Sequence, residues 1–93
     1  EKGAPFALFV WFHAPHEPVA VPEAFRREQY PDVPDETKAD YYASVTLMDR
    51  EVGRLLRRLD DLKLSERTWV QFSSDNGPET LNRYKTATRS HGS

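Results

Sequence analysis

Three residues in this 93-residue sequence have the type and setting for chemistry: His16, Asp75 and Asn76. Asp75 and Asn76 are adjacent and run into Gly77-Pro78. A carboxylate and an amide carbonyl are both hard oxygen donors, and a sharp turn can aim the two at one Ca²⁺ or Mg²⁺. Gly77 permits the backbone reversal that such a turn needs. Asp-Asn-Gly-Pro is also ordinary turn chemistry, so the tetrapeptide alone leaves both readings open. His16 lies in Pro15-His16-Glu17-Pro18, where flanking prolines stiffen the backbone that carries the imidazole. An imidazole there can donate a hydrogen bond to an anion or protonate a leaving group. A plain surface histidine is the competing reading. His13 is the weaker candidate, because it ends an apolar run and its ring can simply pack at a sheet edge. Glu17 and Asp75 have the types of an acid–base pair, but nothing fixes their separation, and His91 has no context. There is no Walker-type glycine loop and no Gly-x-Ser-x-Gly elbow, and no serine or threonine occupies an activating motif.

The elements that must position these groups follow from periodicity. Residues 6–12, Phe-Ala-Leu-Phe-Val-Trp-Phe, form an apolar run without alternation, bordered by Pro5 and Pro15. This predicts a strand buried on both faces, as in a parallel sheet. Residues 13–34 contain five prolines and the apolar anchors Val19, Val21, Phe25 and Tyr30, which predicts an ordered loop rather than a tether. Pro22 to Arg27 is suited to one helical turn with proline at its first position. Asp35 is a candidate N-cap, and a helix is expected from about 35 to 62. Tyr41, Val45, Met48, Val52, Leu55, Leu56, Leu59 and Leu62 give that helix one apolar stripe. Gly53 is its weak point in propensity and leaves room for a neighbouring strand to lie close. Residues 68–73 read as a second strand, 74–78 as the turn carrying Asp75 and Asn76, and 79–93 as a polar loop. Strand, loop, helix, strand is a βαβ unit, with a right-handed crossover and two parallel strands. Parallel strands end on one edge of the sheet, where open α/β sheets bind ligands. His13 and His16 follow the first strand and Asp75 and Asn76 the second, so the topology brings both groups to that edge.

The bulk properties narrow the function classes. Net charge is −2, from 13 basic and 15 acidic residues, with no basic stripe, so there is no electrostatic case for nucleic acid. Arg57-Arg58 is most simply a solvated helix face. The sequence contains no cysteine, which rules out disulfides and thiolate metal sites within it. No apolar run approaches the ~20 residues of a membrane span. The sequence starts without an initiator methionine and stops in a polar stretch, as a cut through a longer protein would.

Four segments, in this order, resemble the central part of a sulfatase: Pro5 to Val10; Ala14-Pro15-His16-Glu17-Pro18 with Pro22 and Phe25 after it; Tyr42 to Gly53; and Trp69 to Gly77. The resemblance covers about residues 5–78, and the helix and histidine-loop segments look most like the arylsulfatase B type. It implies an α/β fold of the alkaline phosphatase superfamily, of which this chain would be a βαβ fragment, a mostly parallel sheet sandwiched by helices. It implies hydrolysis of sulfate esters, of aryl or sulfated carbohydrate type, by a formylglycine nucleophile assisted by Ca²⁺, with Mg²⁺ or Mn²⁺ as alternatives. Asp75 and Asn76 match the family's second pair of calcium ligands. His16 matches the histidine that contacts the sulfate near the leaving oxygen. The family also places a lysine after the Asp-Asn-Gly segment; Lys85 is closer than that pattern asks, and the matching lysine is expected beyond Ser93. A lysosomal, secreted or periplasmic parent is implied.

The departures are equally specific. There is no Cys-x-Pro-Ser-Arg-like segment, so the nucleophile is expected outside these residues, as is the family's first aspartate pair. Two ligands of a multi-ligand site bind Ca²⁺ weakly, and the isolated chain is expected to be inactive. Two alternatives remain open at this level. A metal-dependent phosphatase or phosphonate monoester hydrolase shares the fold, and a non-catalytic interaction module would use Asp75-Asn76 only as a turn.

Overall fold

The computed structural model describes residues 3–16 and 19–75. Asn76, the rest of the turn to Pro78, the loop 79–93, and Glu17, Lys85 and His91 lie outside the described residues. Three elements form in order: α1 (Glu23–Gln29), α2 (Glu36–Asp61) and a 3-10 turn (Ser65–Arg67).

α2 is the longest element, 26 residues or about 39 Å at 1.5 Å per residue. Its start is set by Asp35, whose backbone is extended and whose Oδ1 accepts the Lys38 amide at 3.2 Å. That bond satisfies one of the orphan donors of the first turn. Its end is a Schellman closure. The Leu64 amide bonds back to the Leu59 carbonyl and the Lys63 amide to the Asp60 carbonyl, both at 2.9 Å. Lys63 supplies the left-handed residue this closure needs, at φ 58°. The Ser65 hydroxyl donates to the Asp60 carboxylate and the Thr68 hydroxyl to the Leu64 carbonyl, holding the exit.

α1 is nearly two turns long, with Pro22 as its N-cap rather than its first helical residue. It packs on the N-terminal half of α2. Close approach is possible because Ala39 and Ala43 are small, and both are buried. The Tyr30 ring lies 5.7 Å from that of Tyr42, and its hydroxyl is 2.5 Å from Thr46 Oγ1. Thr46 gives its own proton to the Tyr42 carbonyl, so Tyr30 is the donor in that pair. Arg50 lies over the Phe25 ring at 4.7 Å. Arg26, only 11% exposed, pairs with Asp40 at 3.2 Å, Glu36 at 3.4 Å and Glu23 at 3.9 Å.

Ala39, Ala43, Thr46 and Arg50 follow one another in steps of four, three and four along a single face of α2. The apolar stripe from Tyr41 through Val45, Met48, Val52, Leu55 and Leu59 lies about 180° away at 100° per residue. That stripe is half-buried at its N-terminal end, and Leu55, Leu56 and Leu62 are exposed. The buried positions of α2 are therefore Ala39, Ala43 and Ser44, not the stripe that the periodicity singles out. Gly53 also differs from its sequence reading: the three atoms nearest its Cβ position belong to the Arg57 guanidinium, the first at 3.2 Å, and among the described residues there is no strand to lie against it.

The segments 6–12 and 68–73, expected as strands, join no ladder, and no strand forms among the described residues. The physical reason is that a strand exists through its partners, and a run without them leaves its backbone groups to water. Trp11 is 86% and Trp69 90% exposed, and Phe6, Leu8, Phe9 and Phe72 are exposed with them. Residues 9–11 do keep the two-residue side-chain period of an extended chain, since Phe9 and Trp11 stack at 5.8 Å and 14°.

Two outcomes follow. Lys63→Gly is expected to raise stability by about 0.5–1 kcal/mol, because glycine removes the left-handed strain at the helix exit. A higher urea midpoint in the helical circular-dichroism signal checks it. Arg26→Ala is expected to cost about 2 kcal/mol, and Arg26→Met to recover part of that through its retained stem. Equal losses for the two variants would show that charge pairing alone holds α1 to α2.

Candidate functional site

The first candidate group is a tight turn. The His16 amide donates to the His13 carbonyl at 2.9 Å, closing residues 13–16, and the Ala14–Pro15 peptide is cis. Pro15 suits the interior of such a turn because it has no amide proton to leave unsatisfied. The closure brings two imidazoles together: the His13 and His16 rings lie 5.4 Å apart, tilted by 46°. Both histidines are exposed. The sequence reading ranks His13 below His16. The signal that would have raised it is the three-residue spacing across a proline turn, which places residues i and i+3 side by side.

The turn is followed by a segment fixed from outside itself. From Pro22 to Pro34 the chain is tied to α2 through Arg26, Phe25 and Tyr30, as described above. Of the anchors identified in the loop, Tyr30 packs its ring near Tyr42 and bonds through its hydroxyl, and Phe25 packs its ring under Arg50.

The second group begins where the segment 68–74 ends. Asp75 stands at a bend, exposed, directly after Ser74. Its carboxylate is accessible, and carboxylate oxygen is the donor a hard divalent cation takes. Among the described residues no three His, Cys, Asp or Glu side chains gather into a metal-binding group. Asp75 by itself is one oxygen donor and does not make a cation site. Asn76, its expected companion, lies outside the described residues. Among the described residues, no helix is long and apolar enough to cross a membrane.

Comparison with known proteins bears on what this arrangement belongs to. The sequence model of the sulfatase family matches residues 1–93. Iduronate 2-sulfatase of Homo sapiens is 28% identical, over 82% of this chain and 22% of its own length. N-acetylgalactosamine-6-sulfatase of Canis lupus familiaris is 36% identical, over 78% of this chain and 13% of its own. Arylsulfatase A of Homo sapiens is 32% identical, over 83% of this chain and 14% of its own. The chain therefore spans about a fifth or less of the length of these relatives. No solved structure matches it. A family match from end to end, together with relatives above 30% identity across most of the chain, carries one conclusion: the chain belongs to the sulfatase family.

Proposed function

We propose that this chain is part of a hydrolase of sulfate esters, in which His16 contacts the sulfate beside the leaving oxygen and Asp75 and Asn76 supply oxygen ligands to calcium. The observation that carries this reading is the family match over all of residues 1–93. Sulfatases have an α/β fold of the alkaline phosphatase type. In the intact enzyme, residues 6–12 and 68–73 are two parallel strands of that sheet, and the exposed rings of Trp11 and Trp69 are covered by neighbouring layers. The apolar stripe of α2, opposite the face that α1 occupies, is then the surface that packs on the sheet. Sugar sulfates are the proposed substrate class, since two of the matched relatives carry sugar sulfates in their names.

The roles follow from charge. A sulfate ester is an anion, and cleavage places further negative charge on the departing oxygen. In this reading His16, on its closed turn, gives that oxygen a hydrogen bond or a proton. The exposed Asp75 carboxylate and the Asn76 carbonyl offer two of the six to eight oxygens calcium takes. Bound calcium supplies positive charge that offsets the sulfate's own. The nucleophile, a formylglycine, is contributed by residues other than these 93.

The test is made on the full-length enzyme with a chromogenic aryl sulfate. His16→Ala is expected to lower kcat by about 10²–10⁴-fold. Calcium is expected to raise the thermal midpoint of the parent enzyme, and Asp75→Ala and Asn76→Ala are expected to abolish that rise. A His16→Ala enzyme with unchanged kcat, or turnover of phosphate monoesters in preference to sulfate esters, overturns the reading.

A further inference from the structure

The turn at residues 13–16 does more than present one histidine, because its closure sets a second imidazole against the first. We infer that His13 is a positioning residue that holds the His16 ring in its working orientation; this rests on the role proposed for His16 above. Two contacts tie the pair, and they differ in kind. The bond from the His16 amide to the His13 carbonyl fixes the backbone and is independent of the residue type at position 13. The ring contact, at 5.4 Å and 46°, depends on an aromatic group at that position.

The ring contact has something to act on. An imidazole has two soft torsions, and the amide-to-carbonyl bond that closes the turn sets neither of them. The backbone of the turn therefore does not by itself choose the orientation of the His16 ring. A planar neighbour in a tilted arrangement favours a subset of those orientations. A proton donor gains rate from being held where the leaving oxygen will be, since even small misplacements are costly. His13 need not touch substrate to supply this. It needs only a flat ring at the far end of the turn.

The experiment is a double-mutant cycle in the full-length enzyme. His13→Ala is expected to lower kcat about five- to tenfold with KM little changed, and His13→Phe to restore most of the loss. Combined with His16→Ala, His13→Ala is expected to cost nothing further, because there is no ring left to hold. Thermal midpoints of all variants report whether the fold is kept. Additive losses of His13→Ala and His16→Ala overturn the inference while leaving the role of His16 intact, as does a His13→Phe enzyme no better than His13→Ala. If His16→Ala alone has no effect, the reading of His16 fails, and the positioning role falls with it.

Discussion

The structure depends on a close approach that two alanines permit. Ala39 and Ala43, one helical turn apart and both buried, leave α2 with a flat strip against which α1 can lie. Only because that strip is flat can Arg26 reach Asp40 and Glu36 while pairing within its own helix to Glu23. A guanidinium that is nearly buried is stable when its several donors meet carboxylates, and here there are three. Tyr30 and Phe25 then close the two ends of the contact, one by a hydrogen bond to Thr46 and the other under Arg50. The proline-rich segment after the histidine turn is thereby held to the longest rigid element, without any strand of its own.

α2 therefore works as a two-sided element. One face is occupied by α1 through small residues and charge pairs. The other, Tyr41 through Leu59, is apolar and only half-covered. In the proposed α/β arrangement such a helix would lie beside the sheet by its apolar face and carry α1 on its outer side. The asymmetry in chemistry fits that position. Polar, geometrically specific contacts suit the small α1 interface, while a broad aliphatic stripe suits a sheet surface.

α2 was readable because its signals are local. An aspartate after Pro34, a regular spacing of apolar residues and a charged exit each act within one or two turns. The anchoring of the loop was partly readable, since Phe25 and Tyr30 stand out in a polar stretch. What escaped the sequence was the face on which they dock: alanine at positions 39 and 43 carries little hydrophobic signal, and burial there comes from shape. The two apolar runs present the reverse case. Their composition speaks for strands, yet pairing is a long-range property, and among the described residues neither run has a partner. For the candidate site, the sequence picked out His16 and Asp75 by type, but the ring contact with His13 appears only once the turn is closed.

Dimensions constrain how the two groups can share an edge. A run of seven extended residues covers about 23 Å, whereas α2 covers about 39 Å. If residues 6–12 and 68–73 lie side by side and parallel, α2 must run back across them in the opposite direction. Its excess length, about 16 Å or some ten residues, then projects past one end of the strands. The tight exit from Asp61 to Thr68, closed by the Schellman bonds and the 3-10 turn, leaves little slack at the start of the second strand. The overhang would then fall at the other end, where both strands would finish and after which His16 and Asp75 come in the sequence. The overhanging part is the N-terminal third of α2, and this is the part that Ala39, Ala43 and the Arg26 cluster join to α1. In that arrangement the packing of α1 on α2 would brace the rim of the proposed site, through the same Arg26 cluster that ties the proline-rich stretch to the long helix.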